Sequence, residues 1–109
     1  MYRLLETKEA KRDLDNLAAY MAISLKNSKA AIDFLSLYHQ QTQSLILFPF
    51  AYRGVSFTYQ GYEIRMKTFS SYNIFFIIDS INYQIIILRI LKDRQNWKSI
   101  LKNKEKYTL

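Results

Sequence analysis

The chain has no cysteine, which excludes a disulfide framework and any thiolate metal centre and accords with a reducing compartment. Its single histidine, His39, falls in a helical stretch with no carboxylate three or four residues on. That excludes the paired-ligand helix of a zinc hydrolase and gives no support to a Ser-His-Asp arrangement. With only two glycines and one proline there is no Gly-rich phosphate loop, no Gly-x-Ser-x-Gly elbow, and little room for long loops. No apolar run approaches the roughly 18 residues needed to cross a bilayer. Runs such as Ile74–Ile78 are strand-sized, and Met1–Glu6 lacks the apolar stretch of a signal peptide. These absences are compatible with a cytoplasmic chain without requiring one, and we expect no cofactor, no metal and no membrane partner.

Half of the residues are hydrophobic and 16% are aromatic, too many for a disordered chain, and 109 residues suffice for one domain but not two. We expect a single domain over 1–109, with 102–109 a mostly polar tail free to fray. The net charge is +7, and it is lopsided. Residues 1–50 hold six Lys/Arg against five Asp/Glu, whereas residues 51–109 hold ten against four. A cationic second half suits RNA, DNA or an acidic protein, and charge alone does not choose between them.

Periodicity divides the chain at Pro49. Tyr2–Leu5 reads as an edge strand ending at a Thr7 helix cap, followed by a helix over about 8–24 with the stripe Ala10, Leu14, Leu17, Ala18, Met21 and Leu25. Lys26-Asn27-Ser28 interrupts it. A second helix carries Ala31, Phe34, Leu35, Tyr38, Thr42 and Leu45 and ends at Phe48-Pro49-Phe50. Beyond Pro49 the period becomes 2, giving strands near 55–59, 62–69, 72–79 and 84–91 joined by turn-like pairs, and then a short helix at 97–102. The expected fold class is α+β: an N-terminal helical hairpin packed on a twisted, mainly antiparallel sheet of four or five strands, with a short C-terminal helix. Ile74–Ile78 is apolar on both faces, as in a central strand covered by the hairpin on one side and by another element on the other.

The chemistry open to such a chain is cationic. In Tyr62-Glu63-Ile64-Arg65-Met66-Lys67-Thr68, Ile64 and Met66 point one way and Glu63, Arg65 and Lys67 the other; Arg89 and Arg94 can join them from a second element. Such a cluster holds phosphates and stabilises a phosphoryl-transfer transition state without metal or histidine. The plain alternative is a solvated sheet face with Glu63 paired to Arg65. Arg89, inside the apolar run Ile85–Leu91, needs solvent or a carboxylate, with Asp79, Asp93 and the hairpin carboxylates as candidates. Arg53, Tyr59 and Tyr72 are weaker candidates for stacking on bases.

Six segments follow one another along the chain: Thr7-x-x-Ala10-x-x-Asp13-Leu14, Asn27-Ser28-x-Ala30-Ala31-x-x-Phe34, Leu47-Phe48-Pro49, Gly61-Tyr62-x-Ile64-Arg65, Tyr72-x-Ile74-Phe75-Phe76-x-Ile78-Asp79, and Ile87–Leu91 followed by Arg94-x-x-Trp97. In this order they resemble the RelE/ParE superfamily of bacterial type II toxin–antitoxin toxins. The resemblance implies a growth-inhibiting toxin neutralised by a cognate antitoxin that is acidic or partly disordered. It leaves two targets, DNA gyrase for a ParE-like toxin and ribosome-bound mRNA for a RelE-like endoribonuclease. Arg65, Lys67 and Arg94 match basic positions of the ribonuclease branch and are its catalytic candidates. Asn73 stands where RelE has arginine, and Lys92 where many relatives carry histidine. Tyr107 is the only tail tyrosine, and its spacing from Trp97 does not match. The long hairpin favours the ParE-like branch. In either branch Arg65, Lys67, Tyr72, Arg89, Lys92 and Arg94 are the expected contacts with target or antitoxin, and a third reading is a non-toxic nucleic-acid-binding module.

Overall fold

Thr7 ends the first strand and begins the first helix with one side chain. In the computed structural model, which describes residues 1–103 and 106–109, its hydroxyl oxygen accepts from the Ala10 amide while its proton goes to the Leu88 carbonyl. Strand β1 (Arg3–Glu6) therefore runs directly into helix α1 (Lys8–Ala19). The last turn of this arm is not α-helical. Tyr20–Ser24 forms a π-helical turn, closed by Leu25 N–H donating to the Tyr20 carbonyl, and Lys26 then takes a left-handed φ of 51°. Asn27 caps helix α2 (Ser28–Leu47) by accepting from the Ala30 amide. Pro49 then removes a backbone donor and turns the chain through a short 3-10 segment, Pro49–Ala51.

Strands β2 (Gly54–Tyr59), β3 (Tyr62–Phe69), β4 (Tyr72–Asp79) and β5 (Gln84–Lys92) form the expected meander, and β1 adds parallel to β5 to give the order β1-β5-β4-β3-β2. Gln60 and Gly61, both at positive φ, make the two-residue β2–β3 turn. At the β4–β5 turn the Asp79 carboxylate accepts from the amides of Ile81 and Asn82 and from the Asn82 side chain, which holds it below the usual carboxylate range. Helix α3 (Trp97–Lys102) completes the described elements.

The sheet is covered on both faces. Ala10, Leu14, Phe34, Tyr38 and Leu45 of the hairpin pack on Phe69, Ile74, Phe76, Ile85, Ile87 and Ile90. On the opposite face Ile64, Phe75, Ile77, Leu88 and Leu91 meet Leu101, with Trp97 and Tyr107 beside them. Two residues assigned to the hairpin stripe lie outside this core. Leu25 is 58% and Leu35 42% exposed, because the π turn rotates the first arm away from its α-helical phase and Leu35 sits at the margin of the face centred on Phe34 and Tyr38. Tyr38 donates to the Glu6 carboxylate, and burial, followed by that bond, raises its hydroxyl pKa.

The C-terminal residues return to the body. The Tyr107 amide donates to the Tyr59 hydroxyl, and Thr108 bonds Glu9 while its carbonyl receives the Lys8 amide. The tail positions 104 and 105 lie outside the described residues.

Candidate functional surface

Strand β5 extends past β1 and leaves part of its edge without a strand neighbour, a position that ordinarily invites another strand. Helix α1 closes it. Thr7 takes the Leu88 carbonyl, and an Asp13 oxygen accepts from the Ile90 amide at 3.0 Å. The same carboxylate grips Arg89 with two bonds, Nε to Oδ2 at 2.7 Å and a terminal nitrogen to Oδ1 at 2.9 Å. Both side chains are largely buried, and the bond to Asp13 raises the Arg89 pKa further. Of the carboxylates open to it, Arg89 is held by the hairpin's Asp13. Asp79 serves its own turn, and Asp93 accepts from the Asn73 amide nitrogen.

Arg65 and Lys67 do share one face, but that face is turned to the hairpin. In the register Arg65 stands opposite Phe76 and Lys67 opposite Ile74, both residues of the hairpin-side core. Lys67 is only 7% exposed; its Nζ donates to the Tyr52 hydroxyl at 2.9 Å. Arg65 donates to the Tyr52 carbonyl at 2.7 Å, lies 5.2 Å from the Phe50 ring centre, and has Glu63 at 3.6 Å. Both cations are covered by the segment following Pro49.

Arg89 does not join them. Between Phe75 and Phe76 the register slips by one residue, so Phe76 faces Ile87 while Phe75 faces Arg89. A bulge of this kind sends the strand's alternation to the other face. The expected gathering of Arg65, Lys67, Arg89 and Arg94 on one open sheet face is therefore absent. Arg94 lies beyond β5 in an exposed loop.

What does come together is Tyr72, Lys92 and Arg94. With Ser71 and Asp93 they line a shallow cavity of about 480 Å³, and Tyr72 is the direct neighbour of Lys92 across β4 and β5. The Tyr72 ring rests on Phe34 at 4.8 Å, and burial raises its pKa. Lys92 places its Nζ 4.7 Å from the Tyr20 ring centre. Among the described residues neither Lys92 nor Arg94 makes an ion pair. Asn73, beneath this end, is buried between Thr68 and Asp93. Of the weaker candidates, Arg53 is exposed and Tyr59 is engaged with Tyr107. Among the described residues no group of three or more His, Asp or Glu side chains forms a metal cage, and no helix is long and apolar enough to cross a membrane.

A family model described as the ParE toxin of the type II toxin–antitoxin system parDE matches residues 4–97. The chain belongs to the ParE toxin family. The fold agrees with a chain of the chromosomal ParDE system from P. aeruginosa at a TM-score of 0.68, with 22% identity over 84% of this chain and 96% of that one. A chain of the RelBE2 toxin–antitoxin complex from Mycobacterium tuberculosis gives a TM-score of 0.59 and 16% identity over the same shares. No curated protein sequence matches.

For this ParE-family chain the first sequence motif acquires a physical meaning. Thr7, Ala10, Asp13 and Leu14 are the cap, the close contact, the edge clamp and the core residue of α1, and Arg89 is the clamp's counterpart on β5. Sequence reasoning did not find Tyr52, which covers Lys67 and Arg65. An aromatic residue just before a strand is too common a feature to single it out.

Proposed function

We propose that this chain is a bacterial, cytoplasmic growth-inhibiting toxin, held inactive by a cognate antitoxin, and that it acts in the ParE manner by binding DNA gyrase. One observation carries the choice of target. Of the three cations that are candidates for ribonuclease action, Arg65, Lys67 and Arg94, Lys67 is buried against Tyr52 and Arg65 is bound to the Tyr52 carbonyl. A phosphodiester cannot reach the buried Lys67 ammonium without displacing Tyr52, while Arg65, 20% exposed, is committed to the Tyr52 carbonyl. Asn73, at the position where RelE has arginine, offers no charge and is tied to Asp93. The ParE family match supports the same choice. The ribonuclease reading retains one supporting observation, the shared cavity of Tyr72, Lys92 and Arg94, which offers two cations and a hydroxyl to an anion.

A supercoiling assay with purified gyrase and relaxed plasmid tests the proposal. The chain is expected to block supercoiling and trap cleaved DNA. Lys67→Met is expected to inhibit within about twofold of the parent and to be at least as stable, since an apolar residue replaces a buried cation without leaving a charge unpaired. Cleavage of mRNA on programmed ribosomes, abolished by Lys67→Met while the variant stays folded, would overturn the gyrase reading.

A further inference from the structure

Strand β5 spans nine residues, roughly 30 Å, from the turn holding Tyr83 to Lys92, and the two ends it joins differ in character. The Lys92 end is cationic. The Tyr83 end is apolar, and it is built largely by residues 45–52, whose only polar side-chain group is the Tyr52 hydroxyl. Of these eight, just Leu45 and Pro49 are buried. Leu47 and Phe48 are each 67% exposed, and Phe50 and Tyr83 more than half. The backbone explains the exposure of Phe48. A proline bars the residue before it from helical geometry, so Phe48 takes φ −137° and ψ 65° while its amide still closes the last turn of α2 on the Ser44 carbonyl. Its ring leaves the helix beside a cavity of about 390 Å³ whose walls include Tyr2, Leu47, Pro49, Phe50 and Tyr83. Tyr2 ties these walls together, with its ring centre 6.3 Å from that of Phe50 and 5.6 Å from that of Tyr83.

We infer that this end is a self-association surface on which a second copy of the chain packs about a two-fold axis, the Phe48 ring of each copy seated in the cavity of the other. The inference stands apart from the choice of toxin target. Shape selects the occupant first. In a two-fold contact the same patch serves both sides, so it must be complementary to itself, and a projecting ring next to a hole meets that condition. The hole is large enough, since a dry cavity of about 150 Å³ already receives a benzene ring. Area agrees. Leu47, Phe48, Phe50, Tyr83 and the side chains around them present on the order of 700 Å² of surface, close to the roughly 800 Å² per partner of a standard interface. Charge excludes the other class of occupant. No Asp, Glu, Lys or Arg side chain lines the cavity, so an acidic partner finds no counter-charge there. The same lack lets two chains of charge +7 meet with the least repulsion: Lys92 and Arg94 stay at the far end of β5, and Arg65, behind the Phe50 ring, has Glu63 beside it. Arg3 and Arg53, exposed at the margin, are the cations that approach across the axis, which makes the association stronger as salt screens them.

Sedimentation equilibrium of the full chain, from low micromolar to several hundred micromolar, tests this. The mass is expected to move from one chain to two, and the midpoint to fall to lower concentration as salt is raised. Phe48→Ser and Leu47→Ser are each expected to weaken association by about tenfold or more, because each removes its side chain from both halves of the interface. Both positions are exposed in the single chain, so at concentrations where the parent is monomeric the variants should keep its unfolding midpoint. Ile23→Ser removes an exposed apolar group on the π turn instead and should leave association unchanged. Amide chemical shifts that depend on concentration are expected at residues 1–3, 45–52 and 81–83. A mass of one chain at every concentration would overturn the inference, as would shifts confined to residues 20–25 and 92–94 or equal weakening by Ile23→Ser. Association that weakens as salt rises would also overturn it, by showing a contact driven by opposite charges. So would binding to phosphatidylcholine vesicles, lost in Phe48→Ser, from a chain that stays monomeric in their absence. Growth arrest on expression is a separate readout, and arrest by a monomeric chain would leave the toxin reading intact while removing the surface.

Discussion

Asp13→Ala is expected to lower the stability of the fold by about 3 kcal/mol, the order found when one partner of a largely buried ion pair is removed. For a domain of this size that corresponds to a fall of roughly 10–20 °C in melting temperature. Two losses combine. Arg89 is left as a largely buried guanidinium without its two-point acceptor, and the Ile90 amide on the β5 edge loses its Asp13 acceptor. Arg89→Ala is expected to cost less, because Asp13 still accepts from the Ile90 amide and has some access to water. Together the two substitutions should cost clearly less than the sum of the singles, since a lone charge is what each single leaves behind. Urea unfolding of the four proteins measures this directly. Additive costs, or an unchanged midpoint for Asp13→Ala, would show that α1 is held to β5 by its apolar stripe alone.

Phe76→Ala is expected to have the largest effect on stability, about 4 kcal/mol, from lost burial and the cavity left behind. Phe75 and Phe76 are both fully buried, one on each face of β4, with Phe76 in the hairpin-side core and Phe75 against Trp97 at 5.2 Å between ring centres. Phe75→Ala should cost a similar amount. The two differ in one signal. Trp97 is the only tryptophan, so Phe75→Ala should shift its native-state emission to the red, whereas Phe76→Ala should leave it in place. Equal shifts from both would mean that the two faces are not separately packed.

The register slip that puts Phe75 opposite Arg89 also marks the boundary of what the sequence discloses. Helix and strand periods lie in the order of apolar residues, so the hairpin, the meander and the double-sided burial of β4 were legible. A bulge inserts one residue without changing composition, and nothing in Ile85–Leu91 marks the place where alternation breaks. Likewise, alternation put Arg65 and Lys67 together but could not say which face the hairpin would take, because Tyr52 and Phe50 reach that face only through the turn at Pro49. The π turn was hidden for a related reason: Met21 and Leu25 fit a helical stripe by spacing, and only the Leu25-to-Tyr20 bond reveals the wider turn. The return of Tyr107 and Thr108 onto Tyr59 and Glu9 depends on partners more than 45 residues away, where local pattern carries no information. Asp13 was visible as a motif residue, yet its task became clear only when its carboxylate was found on Arg89 and the Ile90 amide.

The family assignment fixes the class of protein, and the enclosure of Lys67 and Arg65 bears on which target it strikes. The most direct test is induced expression of the chain alone in bacteria, with plasmid topology and mRNA ends sampled from the same culture. Growth arrest with trapped gyrase–DNA breaks and intact mRNA is the predicted result. New mRNA ends confined to translated frames, with plasmid topology undisturbed, would contradict it.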